Sequence, residues 1–287
     1  MDILLAAAVV PAVYLLYYVY RADPVEKEPM SLLLRLLALG ALSCIPAILL
    51  EMLGTNILLN GLPAYSVPTL LIENFVVIAL SEELCKFIFL RLRTWNNPEF
   101  NYVFDGIVYA VFVSLGFAIL ENIGYVMEFG MGTALVRAFT AIPGHAVFGV
   151  FMGCFYGLAK RAEHAGRKGE KTGYLVAALA VPVLCHGFYD FCASIDNGLA
   201  DLVFFAFLIA LMFVAMRLVK HMSRVAHPIH DSAYSSGVQP PYAPYDSIVD
   251  NSLDGGSHTY TGANQYGGAS TRYPTPPNGY DNRGPFS

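Results

Sequence analysis

Seven stretches of roughly twenty mostly apolar residues follow one another, at about 2–20, 31–53, 68–90, 103–127, 134–159 (or, read shorter, from Ile142), 173–194 and 198–219. Each is long enough to cross the hydrocarbon core of a bilayer as a helix. In lipid a helix satisfies every backbone N–H and C=O within one segment. The fold class that follows is all-α: a polytopic membrane helical bundle of about seven transmembrane helices. Composition points the same way, with 56% of the 287 residues hydrophobic and 14% charged. The mean hydropathy of +0.52 excludes a soluble globular domain. Net charge is −5 and no basic patch occurs, so nucleic acid is excluded as a partner and the lipid bilayer is the expected surrounding.

The connections fix an orientation. Arg21 and Lys27, then Arg91 and Arg93, then Lys160, Arg161, Arg167, Lys168 and Lys171, then Arg217, Lys220 and Arg224 mark every second connection. Those near 54–67, 128–133 and 195–197 hold no Lys or Arg. The positive-inside rule then places the N-terminus outside and the C-terminus inside a cell membrane. The first run lacks a basic start and a small-residue cleavage site, so it reads as a retained first helix. Five cysteines, all inside apolar runs, argue against a disulfide framework and read as small core residues. From about Val225 the chain turns rich in Gly, Pro, Ser, Asn and Tyr, with Tyr242, Tyr245, Tyr260, Tyr266, Tyr273 and Tyr280 recurring along it. Such a segment cannot bury enough apolar surface to fold. The expected division is a membrane domain, 1–224, and a disordered cytoplasmic tail, 225–287, read as a partner-binding or weakly self-associating segment or as simple solvated chain.

Charges inside the runs need a reason, because an ionised side chain at the centre of a membrane helix costs about 2.5–3.5 kcal/mol even on mild scales. Glu82, Glu83 and Lys86 lie at spacings that bring them together on one helix face, as a simple clasp or as part of a site. In the fourth run Asp105 stands near the start, where a helix-start role is open to it, and Glu121 with Asn122 stands near the far end. In the fifth, Gly149, Gly153 and Gly157 recur every four residues, a stripe that lets another helix approach, and His145 lies on it. In the sixth, His186 and Asp190 are four apart, so the carboxylate can hold the imidazole's second nitrogen. By depth, the two glutamates and the two histidines converge on one level, with Glu121 further out.

A glutamate in a water-poor setting with two histidines suggests hydrolysis. The histidines have three uses there: holding water, donating to an oxyanion, or binding zinc. No HExxH, no GxGD pattern and no Ser–His or Cys–His arrangement appears. Five segments then carry a resemblance: "RADPVEKEP" after the first run, "EELCK", "FDGIVYAVFVSLGFAILEN", "PGHAVFG" and "HGFYD". In this order they resemble the PrsW family of intramembrane proteases, within the wider superfamily of CAAX prenyl proteases and bacteriocin-processing enzymes. The likeness covers about residues 10–195. Ala110 and Ser114 depart from it, standing where the family often has glycine.

The resemblance implies peptide-bond cleavage in a membrane-anchored protein. The family's best-known instance is the first cut of a single-pass anti-sigma factor in regulated intramembrane proteolysis. It implies Glu82 as general base with Glu83 its partner, Lys86 tuning both, and His145 and His186 positioning water and stabilising the oxyanion. Asp190 orients His186; Glu121 and Asn122 complete the polar wall. No cofactor is favoured. Zinc held by His145, His186 and Glu82 or Glu83 is the alternative. Two other classes stay open: a proton- or ion-coupled transporter, and a non-catalytic membrane scaffold presenting the tail.

Overall fold

A computed structural model describes residues 2–225 and 227–229. The expected tail, its tyrosines included, lies outside the described residues, save for Val225 and 227–229. Helix follows helix: α1 (Asp2–Ala22), α2 (Met30–Gly54, prolonged by the π-helical Thr55–Leu59), α3 (Val67–Leu71), which runs through the π-helical Ile72–Ala79 into α4 (Leu80–Thr94), α5 (Val103–Phe129), α6 (Met131–Phe139), α7 (Ala141–His164), α8 (Lys168–Ala193) and α9 (Gly198–Val225). Six of these stretches are long and apolar enough to cross a membrane: Leu5–Ala22, Met30–Leu59, Val103–Phe129, Met131–His164, Lys168–Ala193 and Gly198–Val225. The third apolar run, Val67–Thr94, is helical from end to end but carries more charge than the others. Large apolar side chains stay exposed along α1, α2 and α9, as a lipid-facing surface requires.

The fifth run follows its shorter reading, with a separate helix ahead of it. It opens as the separate α6, breaks at Thr140 (φ −120°, ψ −71°) and resumes as α7. Pro143 supplies the reason: its ring would collide with the carbonyl of Phe139 if α6 continued, whereas in the first turn of α7 its missing N–H costs nothing.

The bundle is organised around α5. Every residue from Val103 to Ala118 is buried, so this helix has no lipid or solvent face over that length. Its neighbours approach at glycines. A Cβ at Gly153 of α7 would stand 2.3 Å from the Gly106 carbonyl oxygen, and one at Gly40 of α2 would stand 2.0 Å from that of Val113. These are backbone-to-backbone approaches, so packing in the plane of the bundle is decided where side chains are missing. At the start of α5 the chain is held by residues far away in sequence. His227 to Ile229 run antiparallel to Asn101 to Val103, with Val103 N donating to His227 O (3.0 Å) and Ile229 N to Asn101 O (2.7 Å). The five cysteines are free, four of them buried.

Candidate active site

Immediately after the π-helical turns, α4 places Glu82, Glu83 and Lys86 toward the interior. Lys86 has no exposed surface. Its Nζ donates to Glu82 Oε2 (3.0 Å) and Glu83 Oε1 (2.8 Å), and stands 3.2 Å from His145 Nδ1. The Phe117 ring closes the cluster, 4.0 Å from the nitrogen. An ammonium can only donate, so His145 Nδ1 is the acceptor and its Nε2–H donates to Glu121 Oε2 (2.9 Å). The backbone of His145 is fixed too, its carbonyl accepting from Ser114 Oγ at 2.7 Å.

His186 comes from α8. Its Nδ1 is 2.9 Å from Glu83 Oε1 and its Nε2 is 3.1 Å from Asp190 Oδ2, so both ring nitrogens face carboxylate oxygens. Phe148 stacks on the imidazole with centroids 4.9 Å apart, and the His145 ring is 5.3 Å away. Three helices therefore bring Glu82, Glu83, Lys86, His145 and His186 into one contact group, with Asp190 beside it.

Glu121 extends this group along α5. Besides His145 it meets Arg137 at 2.8 Å. Arg137 Nε in turn donates to Asn122 Oδ1 (2.8 Å), and Asn122 Nδ2 donates to the Ala8 carbonyl (2.9 Å). Asn122 thus braces α5 and α6 against α1. A cavity of about 570 Å³ opens over the group, lined by Glu82, Glu121, Arg137, His186, Asp190 and Glu51 among others. Glu83, Lys86 and His145 are not part of its wall. Asp105 lies elsewhere: it caps the start of α5, accepting from the amides of Asn101 (2.9 Å) and Tyr102 (2.7 Å).

Arg137 is the participant that the sequence reading passed over. It sits inside what reads as one apolar run, yet it is the only Lys or Arg between Arg93 and Lys160. Glu121 needed a cation at this depth, and that was the available signal.

The family model described as PrsW family intramembrane metalloprotease matches residues 28–218. The chain is 35% identical over 225 residues to Protease PrsW of Geobacillus kaustophilus, covering 78% of this chain and 94% of that protein. It is 33% identical over 217 residues to Protease PrsW of Oceanobacillus iheyensis (76% and 94%), and 31% identical over 222 residues to that of Bacillus subtilis (77% and 95%). No solved structure matches. On these matches the chain, a multi-pass membrane protein, belongs to the PrsW family of intramembrane proteases.

Proposed function

We propose that this peptidase works as a glutamate-type enzyme, with Glu82 as general base, on a single-pass protein anchored in the same membrane. The observation that carries this is the unequal placement of the two glutamates. Glu82 reaches the cavity wall, whereas Glu83 has no exposed surface and is held by Lys86 and His186. Glu82 takes a proton from a cavity water as the water oxygen bonds to the scissile carbonyl carbon. The carbonyl π pair moves onto oxygen, where the Arg137 guanidinium on the cavity wall is the donor. Collapse breaks the C–N bond, and the proton on Glu82 passes to the leaving amine. Glu83, His145 and Lys86 keep these groups in place, and Asp190 orients His186. Asp105, counted by sequence among the polar groups of the runs, caps α5 and takes no part in this step.

The family description names a metalloprotease, and the candidate donors for a metal are carboxylates and imidazoles. Ligand atoms of Glu82, Glu83 and His145 lie within 4.8 Å of one another, close enough for one ion. The space between them holds the Lys86 ammonium, and both ring nitrogens of each histidine already face protein groups. As arranged, these residues do not fit a resident zinc. An anti-sigma factor is the substrate that the family resemblance implies.

The test is to map new protein termini in membranes carrying the wild type or Glu82→Gln. Shortened single-pass proteins should occur with the wild type alone, and 1,10-phenanthroline should leave that cleavage unchanged. Cleavage that survives Glu82→Gln sinks the assignment of the base. Cleavage abolished by the chelator and restored by zinc sinks the glutamate-type mechanism.

A further inference from the structure

A second group of buried carboxylates lies at the opposite end of α5. Asp23 and Glu28 come from the connection between α1 and α2, and Asp105 from the first turn of α5; they are 8%, 3% and 1% exposed. One oxygen from each lies within 4.8 Å of one from each of the others. Two oxygens bound to one hard cation at about 2.1–2.4 Å are at most about 4.2–4.8 Å apart, so the spacing fits a single ion.

The hydrogen bonds of the group are incomplete. Glu28 Oε2 accepts from the Tyr109 hydroxyl (2.6 Å), and Asp105 Oδ2 serves the two backbone amides. Asp23 Oδ2 and Glu28 Oε1 are buried with no hydrogen-bond partner. Such orphaned acceptors are costly when ionised. Among the described residues, no Lys or Arg pairs with any of the three carboxylates. Lys27, on the same connection, turns its Nζ to the carbonyls of Tyr20 (2.9 Å), Arg21 (3.3 Å) and Asp23 (2.7 Å), closing the end of α1. Burial raises the Asp23 carboxyl to about 6. Burial, with repulsion from Asp23 and Glu26, raises that of Glu28 to about 7. Lys27 offsets part of the rise at Asp23, but its ammonium is spent on carbonyls and contacts none of the three carboxylates.

We propose that Asp23, Glu28 and Asp105 form a binding site for a hard divalent cation of the Mg²⁺ type, separate from the protease cavity. The donor set is all oxygen, which selects Mg²⁺, Mn²⁺ or Ca²⁺ over zinc. By the loop charges this end faces the cytoplasm, where Mg²⁺ is the abundant ion of that kind. Asp105 precedes Glu121 by sixteen residues of one helix, about 24 Å at 1.5 Å per residue, so the ion is remote from the catalytic group. Bound there, it clips the α1–α2 connection to the helix around which the bundle is built.

The experiment uses the full chain in detergent, stripped with EDTA and titrated with Mn²⁺, free Mn²⁺ being read by electron paramagnetic resonance. One Mn²⁺ per chain should bind, be displaced by Mg²⁺, and raise the unfolding temperature. Asp23→Asn and Glu28→Gln, tested singly so that failure of one to fold leaves the other, should each weaken binding roughly tenfold or more. The Glu82→Gln, Glu83→Gln double variant should bind as the wild type does. The proposal is overturned if the wild type binds no Mn²⁺, if the folded Asp23 or Glu28 variants bind it undiminished, or if the folded Glu82/Glu83 variant loses it.

Discussion

An ammonium without exposed surface must be neutralised where it stands, and Lys86 has two carboxylate oxygens within 3.0 Å. Breaking a buried pair by deleting one member typically costs about 3–5 kcal/mol, because the other charge stays behind. Lys86→Met should therefore lower stability by roughly that amount. Adding Glu82→Gln and Glu83→Gln to it should restore much of the loss. Thermal unfolding of the three proteins in detergent checks this; a Lys86→Met variant as stable as the wild type would remove Lys86 from the centre of the group. This much of the site was readable from residues alone, since Glu82, Glu83 and Lys86 are neighbours on one helix and His186 and Asp190 on another. Partnerships across helices were less so. Glu121 read as part of a polar wall, but its pairing with Arg137 depends on how α6 returns over α5, a turn that no spacing encodes. Asp105 is a similar case: its partners Asp23 and Glu28 come from the far side of two membrane spans.

Among the elements, α5 and α7 depend most on small residues. At Gly153 a Cβ would stand 2.3 Å from the Gly106 oxygen and 2.5 Å from Ile107 Cα, both backbone atoms with little room to yield. Gly153→Val should destabilise by about 1–3 kcal/mol or more and, by pushing α7 away, loosen His145 from Lys86 and Glu121. Gly173, on α8, has nothing within 4 Å of its would-be Cβ. Gly173→Ala should gain about 0.5–1 kcal/mol through helix propensity. Unfolding temperatures of the two variants measure the contrast; equal shifts would deny that the α5–α7 approach is the tight one. The glycine stripe was legible as an interface, because its period matches one helix face. Its partner was not. Ser114, a departure from the family pattern, looks in sequence like a change of packing, yet its hydroxyl holds the His145 carbonyl. The break at Thr140 was foreshadowed by Pro143 but lost in a run whose hydropathy stays high on both sides.

For the molecule as a whole, the alternation of charged and uncharged connections gives an orientation open to direct test. Asn60 and Ala165 are both exposed, on connections at opposite ends of the bundle. A membrane-impermeant maleimide should label Asn60→Cys in intact cells and Ala165→Cys only after lysis; the reverse pattern would invert the topology. The transporter and scaffold readings lose ground to the family match, which spans the helices that carry the site. The antiparallel pairing of His227 to Ile229 with Asn101 to Val103 bears on where the membrane unit may be cut. Hydropathy draws that boundary at the end of α9. Hydrogen bonding draws it a few residues later, since a chain severed at Val225 would strip the Val103 amide and the Asn101 carbonyl of their partners. Anyone exchanging the tail for another should treat Ile229 as the seam, because the three residues before that join belong to the floor beneath α5.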